Sequence, residues 1–316
     1  MLFRSAAARC FRASVAIREG DRKRAIAELD DVIELLDRRG LSNDGTLAEC
    51  LRSRATVRRD IGASVDDIES DAQKALAHLG NRNQDIIPRA HLFSVLAHVA
   101  AARGSYEEAI DRYRRSVAML ESIGDGDLQI ASTIRVSLSV AYSDAGRPTE
   151  ALFGAQEPFD RAVANKVSYG APPIINYAAL LGRLGRLDES EALLIKAIAD
   201  ARSSSSKPPL AYSLAGAARV ACAKRDPERC LILATEAQSI FAAILNPQHA
   251  AHASIATTLG IARMQRGEFA QSVDLLSDAV RRYRKSQDAT VRSVHPLTLL
   301  AEALIAQGDL VAARAV

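Results

Sequence analysis

Tryptophan is absent from the 316 residues, and aromatic residues make up only 4% of them. The apolar content consists mostly of alanine, leucine, isoleucine and valine, and the first two are strong helix formers. No stretch of about twenty residues is free of charged side chains, which excludes a membrane-spanning segment. The composition therefore indicates a helix-rich chain without membrane insertion.

A large excess of charge of either sign is also missing. The chain has 41 lysine and arginine residues against 38 aspartate and glutamate residues, which leaves a formal net charge of +3, and the two signs are interspersed. Proteins built around phosphate contacts usually concentrate their basic residues on one face. The charge pattern therefore gives no indication of a nucleic-acid partner.

Cysteine is scarce, and its four residues are Cys10, Cys50, Cys222 and Cys230. No two of them form a CxxC pair, and their spacings are not the regular ones of a small disulfide-rich domain. We therefore expect four buried free thiols. Because free thiols persist in a reducing compartment, we expect a cytoplasmic protein. A periplasmic location stays open if the parent protein is a membrane-anchored sensor kinase.

Catalytic signatures are absent as well. The sequence has no GxxxxGK[ST], GxSxG or HExxH motif and no kinase catalytic loop. His249 and His252 are three residues apart and could share a helix face, but two imidazoles without a third ligand are a weak metal signal. We therefore predict no catalytic residue, no metal site and no cofactor in this segment.

A repeated unit is what the sequence does contain. The stretch GSYEEAIDRYRRSV begins at Gly104, and similar stretches recur along the whole chain. Their first residues, which we call anchors, are Gly20, Gly62, Gly104, Gly146, Gly185, Arg225, Gly267 and Gly308, of which Gly62 and Arg225 begin degenerate copies. The anchors are 42, 42, 42, 39, 40, 42 and 41 residues apart, and a fixed period in this range marks a repeat array.

Each unit is predicted to contain two helices around its anchor. Apolar residues recur at intervals of three and four on both sides, which is the helical period. The anchor glycine permits the left-handed conformation that ends the first helix, helix A. Acidic residues such as Glu107 and Glu108 follow in the first turn of the second, helix B, where they suit the positive end of the helix dipole.

Small residues stand at three fixed positions of the unit, where a larger side chain would hold the helices apart. Seven residues before the anchor the chain has Ala13, Ala55, Ala97, Ser139, Ala178, Ala218, Gly260 and Ala301. Five after it come Ala25, Ala109, Ala151, Ser190, Cys230, Ser272 and Ala313, and twelve after it come Ser116, Ala197, Ala237 and Ala279. The unit at Gly62 departs from this pattern, since Asp67 takes the fifth place and a slip of one residue brings Ala75 into the last.

These small residues and the turn glycine resemble the tetratricopeptide repeat, and the resemblance covers essentially all 316 residues. The large aromatic residue that the family favours early in helix A is replaced, for example by Leu51 and Leu214. The unit is longer than the family's usual one, and in this it is similar to the repeats of kinesin light chains and of arrays attached to bacterial serine/threonine protein kinases. The resemblance implies an all-α, right-handed superhelical solenoid of about eight helix-turn-helix repeats.

We expect a single solenoid over residues 1–316. Its repeats should span roughly 1–43, 44–86, 87–128, 129–167, 168–207, 208–248, 249–290 and 291–316, the last one incomplete. A solenoid normally ends in a capping element with a polar outer face. Because the sequence covers only about half of the last helix B, we expect it to be a fragment of a longer protein.

The resemblance also implies a binding surface, because particular positions of helix A line the concave groove in this family. Carried over by register, these positions include Arg52, Thr56, Arg59, His91, Ser94, His98, Asn176, Arg183, Tyr212, Arg219, Thr257 and Glu302. We assign eight of them to a peptide-binding groove: Arg52, Arg59, His91, His98, Asn176, Arg183, Tyr212 and Arg219. The groove would be mixed and mildly basic, without the Lys/Asn constellation that clamps a C-terminal carboxylate in chaperone-binding members.

Three interpretations of function stay open at this point. The first is a non-catalytic protein-binding, peptide-binding or sensing region of a larger signalling protein, such as a bacterial serine/threonine protein kinase. The second is a scaffold that forms a homodimer through repeat edges. The third is the repeat region of a large transcriptional regulator, or of an enzyme whose catalytic domain precedes residue 1. The basic run RRYRK at residues 281–285 is a further candidate patch for an acidic partner, although bases are favoured at the end of a helix B in any case.

Overall fold

In the computed structural model the chain is built of α-helices joined by short turns. The structure describes residues 9–10, 12–13, 15–17, 21–38, 45–79, 85–124, 129–165, 171–204, 207–285 and 294–316. These ranges contain no strand, and after the helical residues among 9–17 they contain fifteen helices. The predicted all-α fold class is confirmed.

The helix bounds follow the predicted alternation of A and B helices. The A helices are α2 (Gly45–Ile61), α4 (Ile86–Ala102), α6 (Gln129–Asp144), α8 (Ala171–Arg183), α10 (Lys207–Ala223), α12 (Ala250–Gln265) and α14 (Val294–Gln307). The B helices are α1 (Arg22–Arg38), α3 (Val65–His78), α5 (Tyr106–Glu121), α7 (Pro148–Asn165), α9 (Leu187–Ser203), α11 (Pro227–Ile244), α13 (Phe269–Lys285) and α15 (Leu310–Ala315).

Two compact units, Met1–Leu138 and Ser139–Val316, divide the chain. In each unit an A helix packs against the B helix that follows it, as α4 does against α5 and α10 against α11. The hairpins then stack on one another, for example through α9 against α10 and α11 against α12. Each unit is therefore an array of stacked helical hairpins with its apolar core between the helices.

The turns between A and B helices have the predicted left-handed anchor. The anchor glycines within the described residues have φ values from 69° at Gly62 to 91° at Gly308. After the anchor at Gly104, the Ser105 N–H donates to the Ala100 carbonyl over 2.9 Å, so the end of helix A is closed by backbone hydrogen bonds. The degenerate anchor Arg225 adopts the same conformation, with φ 63°.

The predicted small positions are the closest contacts of each hairpin. Ala55, Ala97 and Ala178 are fully buried. Ser272, five residues after its anchor, donates its hydroxyl to the carbonyl of Gly260, seven residues before it, over 2.8 Å. A side chain at Gly260 would place its Cβ 2.7 Å from Leu276 Cγ, which is too close for any residue but glycine without a shift. In the last hairpin, by contrast, the two small residues Ala301 and Ala313 are only half-buried.

The unit at Gly62 has the slip of one residue that the sequence predicts, since Asp67 is exposed while Ile68 and Ala75 are buried. A feature that the sequence did not reveal lies beside it. The carboxylate of Asp71 is buried and accepts hydrogen bonds from the Arg54 guanidinium at 2.6 and 2.9 Å and from Arg58 at 2.8 Å. Buried charges require this kind of pairing.

The prediction of four free thiols is wrong, because the structure has disulfides Cys10–Cys50 and Cys222–Cys230. The Cα atoms of the two pairs are 6.0 and 5.3 Å apart. Stacking places residues of successive units side by side although they are 40 positions apart, and the second pair faces across the turn of one hairpin. Sequence spacing alone does not show either proximity.

Candidate functional site

The A helices form the inner side of each stack. In the N-terminal unit α2 touches α4, and in the C-terminal unit α10 touches both α8 and α12. No two successive B helices are in contact within the parts of the chain that the structure describes. Hairpins that touch on one side and separate on the other curve towards the side that touches. The A-helix surface is therefore the candidate for the concave surface of each unit.

Four of the predicted site residues lie in the N-terminal unit: Arg52 and Arg59 on α2, and His91 and His98 on α4. Arg52 Nη1 is 3.5 Å from His91 Nδ1, so two adjacent A helices bring these side chains together. Both arginines already have a carboxylate partner on their own helix. Arg52 Nε donates to Glu49 over 2.9 Å, and Arg59 Nη2 donates to Asp60 over 3.0 Å.

His91 is electrically neutral at physiological pH. Burial, followed by the positive charges of Arg52 and Arg59, lowers its pKa from 6.5 to about 3. On the neighbouring helix α5, burial raises the pKa of Tyr113 to about 12, although the charge of Arg59 opposes this. His98 is exposed seven residues along the same face of α4. The N-terminal part of the predicted groove is therefore less basic than its residue types suggest.

The other four predicted residues lie in the C-terminal unit: Asn176 and Arg183 on α8, and Tyr212 and Arg219 on α10. Asn176 Nδ2 donates to the Ser139 hydroxyl over 2.8 Å. Arg183 donates to Asp144 Oδ1 over 3.2 Å and also to the Ser143 hydroxyl. Both side chains of α8 are thus bound to residues of the preceding A helix, α6.

The partners Ser139, Ser143 and Asp144 were missed by the sequence analysis. A signal for one of them exists in the repeat register. Asp144 and Arg183 both stand two residues before their anchors, Gly146 and Gly185, so they occupy the same position in successive units. Residues at one position of stacked repeats lie side by side, and opposite charges there predict an ion pair.

Arg219 differs from the other cations of this surface. None of the described residues forms an ion pair or a hydrogen bond with its side chain. The residue is exposed to solvent. Even so, the surrounding protein lowers the pKa of its guanidinium by desolvation. The positive charge of Arg183 lowers this pKa as well, and Tyr283 has the opposite effect. An arginine in such surroundings has five N–H donors and a full charge available for a ligand.

Tyr212 stands seven residues before Arg219 on α10. This separation is about 10 Å along a helix, so the two side chains share one face two turns apart. Tyr212 is 39% exposed, and its ring packs edge-on against Phe241, with the ring centroids 5.1 Å apart. Helix α10 therefore presents, on one face, a supported aromatic ring and a cation that none of the described residues pairs.

Three of the remaining positions carried over by register have hydroxyls that are used within their own helices. Thr56 donates to the Arg52 carbonyl over 2.8 Å, and Thr257 donates to the Ala253 carbonyl over 2.9 Å. Ser94 is buried and donates to the carbonyl of His91 over 2.7 Å. The fourth, Glu302 on α14, is exposed.

The histidine pair His249 and His252 lies at the start of helix α12. His249 Nδ1 accepts a hydrogen bond from the Ala251 backbone N–H over 3.1 Å, so this histidine caps the start of α12. No group of three or more histidine, cysteine, aspartate or glutamate side chains with metal-binding geometry occurs among the described residues. Over the same residues, every helix is too short or too polar to cross a membrane.

A family model, the tetratricopeptide repeat, matches residues 90–115, 175–194 and 294–316. These segments are tetratricopeptide repeats. They contain the anchors Gly104, Gly185 and Gly308 and correspond to hairpins α4–α5, α8–α9 and α14–α15, so the resemblance stated above is confirmed. No curated protein sequence matches the chain.

Solved structures share this tetratricopeptide repeat architecture over most of the chain. A Rap protein complexed with competence and sporulation factor matches with a TM-score of 0.68 and 12% identity, covering 98% of this chain and 89% of that one. NprR in complex with its cognate peptide NprX matches with a TM-score of 0.68 and 9% identity, covering 94% and 84%. A tetratricopeptide repeat protein from Parabacteroides merdae matches with a TM-score of 0.55 and 13% identity, covering 95% and 99%. At these identities the similarity concerns the fold.

Proposed function

We propose that the chain is a non-catalytic sensing region that binds an extended peptide on the concave surface of its C-terminal unit. The observation that carries the proposal is Arg219, an exposed cation on α10 that has no ion pair or hydrogen bond among the described residues. An anionic group of a ligand would give this guanidinium the ion pair that it lacks. The solved structure of NprR with its cognate peptide supports the same use of this fold.

The two exposed groups of α10 define the chemistry of the peptide. Arg219 selects a carboxylate side chain, since the planar guanidinium pairs with carboxylates in a bidentate manner. The ring of Tyr212 selects an apolar or aromatic side chain. Because the two lie about 10 Å apart and an extended chain advances about 3.3–3.6 Å per residue, the two ligand side chains should be about three positions apart. Arg183, one helix away, lies near enough to lower the pKa of Arg219, but it is already paired with Asp144.

A selection from a random peptide display library tests this proposal. We expect the selected peptides to share an acidic residue with an apolar residue about three positions away. Binding of such a peptide, followed by fluorescence anisotropy, should weaken at least about tenfold in Arg219→Ala. The matched control is Arg281→Ala on helix B, where the exposed arginine should be dispensable. Peptides without a shared acidic residue, or binding that is indifferent to Arg219, would contradict the proposal.

The parent protein and its location are part of the same proposal. Because the long repeat unit resembles those of arrays attached to such proteins, we propose that the parent protein is a bacterial serine/threonine protein kinase or a large transcriptional regulator. The sequence of the intact protein is the test. A cytoplasmic location stays a prediction. The two disulfides are typical of an oxidising compartment and support the periplasmic alternative, which cell fractionation would distinguish.

Self-association through a repeat edge is a second candidate function, and one observation favours it. In the last hairpin, Ile305, Leu310 and Val311 are 56%, 57% and 83% exposed. Adjacent exposed apolar side chains commonly mark an interface. A monomer by light scattering at high protein concentration would eliminate this candidate, and a dimer that Val311→Glu dissociates would support it.

A further inference from the structure

A second binding site lies away from the concave surface, at the ends of helices α11 and α13. A cavity of about 460 Å³ opens there, within the range of about 300–1,000 Å³ for small-molecule sites. Its lining residues are Thr235, Gln238, Ser239, Ala242, Leu245, Pro247, His252 and Arg282. Two features that the sequence left unexplained, the histidine pair and the basic run at 281–285, each contribute a residue to this cavity.

Arg282 is the charged group of the cavity, and it is held in place by two contacts. Its Nε donates to Asp278 Oδ2 over 2.6 Å, and its Nη1 donates to the Pro247 carbonyl over 3.0 Å. These bonds fix the guanidinium plane and leave Nη2 available. No carboxylate is among the lining residues given above, and the carboxylate that pairs with Arg282, that of Asp278, lies outside this set.

Several polar groups of the cavity have no partner within the described part of the chain. The side chains of Thr235 and Gln238 form no hydrogen bond there. The Nε2 atom of His252 is buried and also has none. Burial, followed by the charge of Arg282, lowers the pKa of His252, whereas a backbone hydrogen bond with Asn246 and the charge of Asp278 have the opposite effect. Unused donors beside a fixed guanidinium form a binding site for an anion.

The lining also includes three apolar residues, Ala242, Leu245 and Pro247. A ligand that fills the space therefore has two ends of different character. We propose that this cavity binds a small organic oxyanion, either a carboxylate or a phosphate ester, with its charged end on Arg282 and its hydrocarbon part against the apolar lining residues. The site is independent of the peptide surface and of its proposed function.

Calorimetric titration of the whole chain with phenyl phosphate and with benzoate tests the proposal. These probes share a ring and differ in the oxyanion, so the tighter one identifies the class of ligand. We expect saturable binding of at least one probe, with shifts in the NMR signals of the Ala242 and Leu245 methyl groups. Phenol, which has the ring without the charge, should not bind. In Arg282→Gln the affinity should fall at least about tenfold.

The matched control is Arg281→Gln, which removes a neighbouring exposed arginine that also pairs with Asp278 but does not line the cavity. It should bind the probe as the wild type does, and both variants should keep the wild-type circular dichroism. The proposal is overturned if neither probe binds by about 10 mM, or if phenol binds as well as the anions do. It is equally overturned if Arg282→Gln binds normally, or if Arg281→Gln loses as much affinity as Arg282→Gln.

Discussion

At the scale of single residues, the A helices carry four predicted site arginines, of which three are already paired and one is not. Arg52, Arg59 and Arg183 each have a carboxylate partner, whereas Arg219 has none among the described residues. Residue type and repeat register place all four on helix A, and they predict nothing about pairing. Pairing depends on which residue of the neighbouring helix lies opposite, which is a property of the packed structure. Arg219 therefore could not be distinguished before the fold was known.

His91 gives a prediction at this scale, because its pKa is about 3 in the folded chain and about 6.5 in the unfolded one. Between these values the unfolded chain binds the additional proton, so the folded state loses stability as the pH falls. At pH 5 this cost is at most about 2 kcal/mol. We expect His91→Gln to lose less stability than the wild type between pH 7 and about pH 4.5, as measured by urea unfolding. Parallel stability curves for the two proteins would show that His91 is not responsible.

At the scale of the helix and the turn, the sequence is most informative. The anchor glycines and the small residues predict the hairpins because each follows from local geometry: a left-handed turn in one case and a close helix crossing in the other. The buried Asp71 and the two disulfides could not be predicted in this way. Their partners come from other helices, and the sequence does not state which side chains the stacking brings together.

Arg225 gives a prediction at this scale. It adopts φ 63° at the position where the other described units have glycine. A side chain in this conformation costs about 1–2 kcal/mol, part of which is offset because glycine also makes the unfolded chain more flexible. We expect Arg225→Gly to stabilise the protein by about 0.5–1 kcal/mol, seen as a higher urea midpoint.

The converse change at Gly185 is the control for this prediction. Its φ is 77°, and an added Cβ would meet no atom within 4 Å, so Gly185→Ala tests the backbone conformation alone. We expect it to lower the urea midpoint. If Arg225→Gly lowers the midpoint as well, the contacts of the Arg225 side chain outweigh the strain of its backbone.

At the scale of the whole molecule, the repeats predict the class of fold and the helix layer that faces inward. The contacts divide the chain into two units, and the eight predicted groove residues fall into two groups of four, one in each unit. We therefore propose that the peptide binds to the C-terminal unit, where Tyr212 and Arg219 share one helix face. Binding energy in such interfaces is concentrated in a few aromatic and arginine residues, which is why this pair defines the ligand.

The most direct test of this central claim is a double-mutant cycle between the chain and a selected peptide. Affinities are measured for wild type and Arg219→Ala, each with the peptide and with a version whose acidic residue is changed to its amide. If Arg219 pairs with that carboxylate, the two changes are coupled by about 1.5 kcal/mol or more, and the amide peptide binds both proteins with similar affinity. A coupling energy near zero would mean that the carboxylate binds elsewhere, and it would contradict the account.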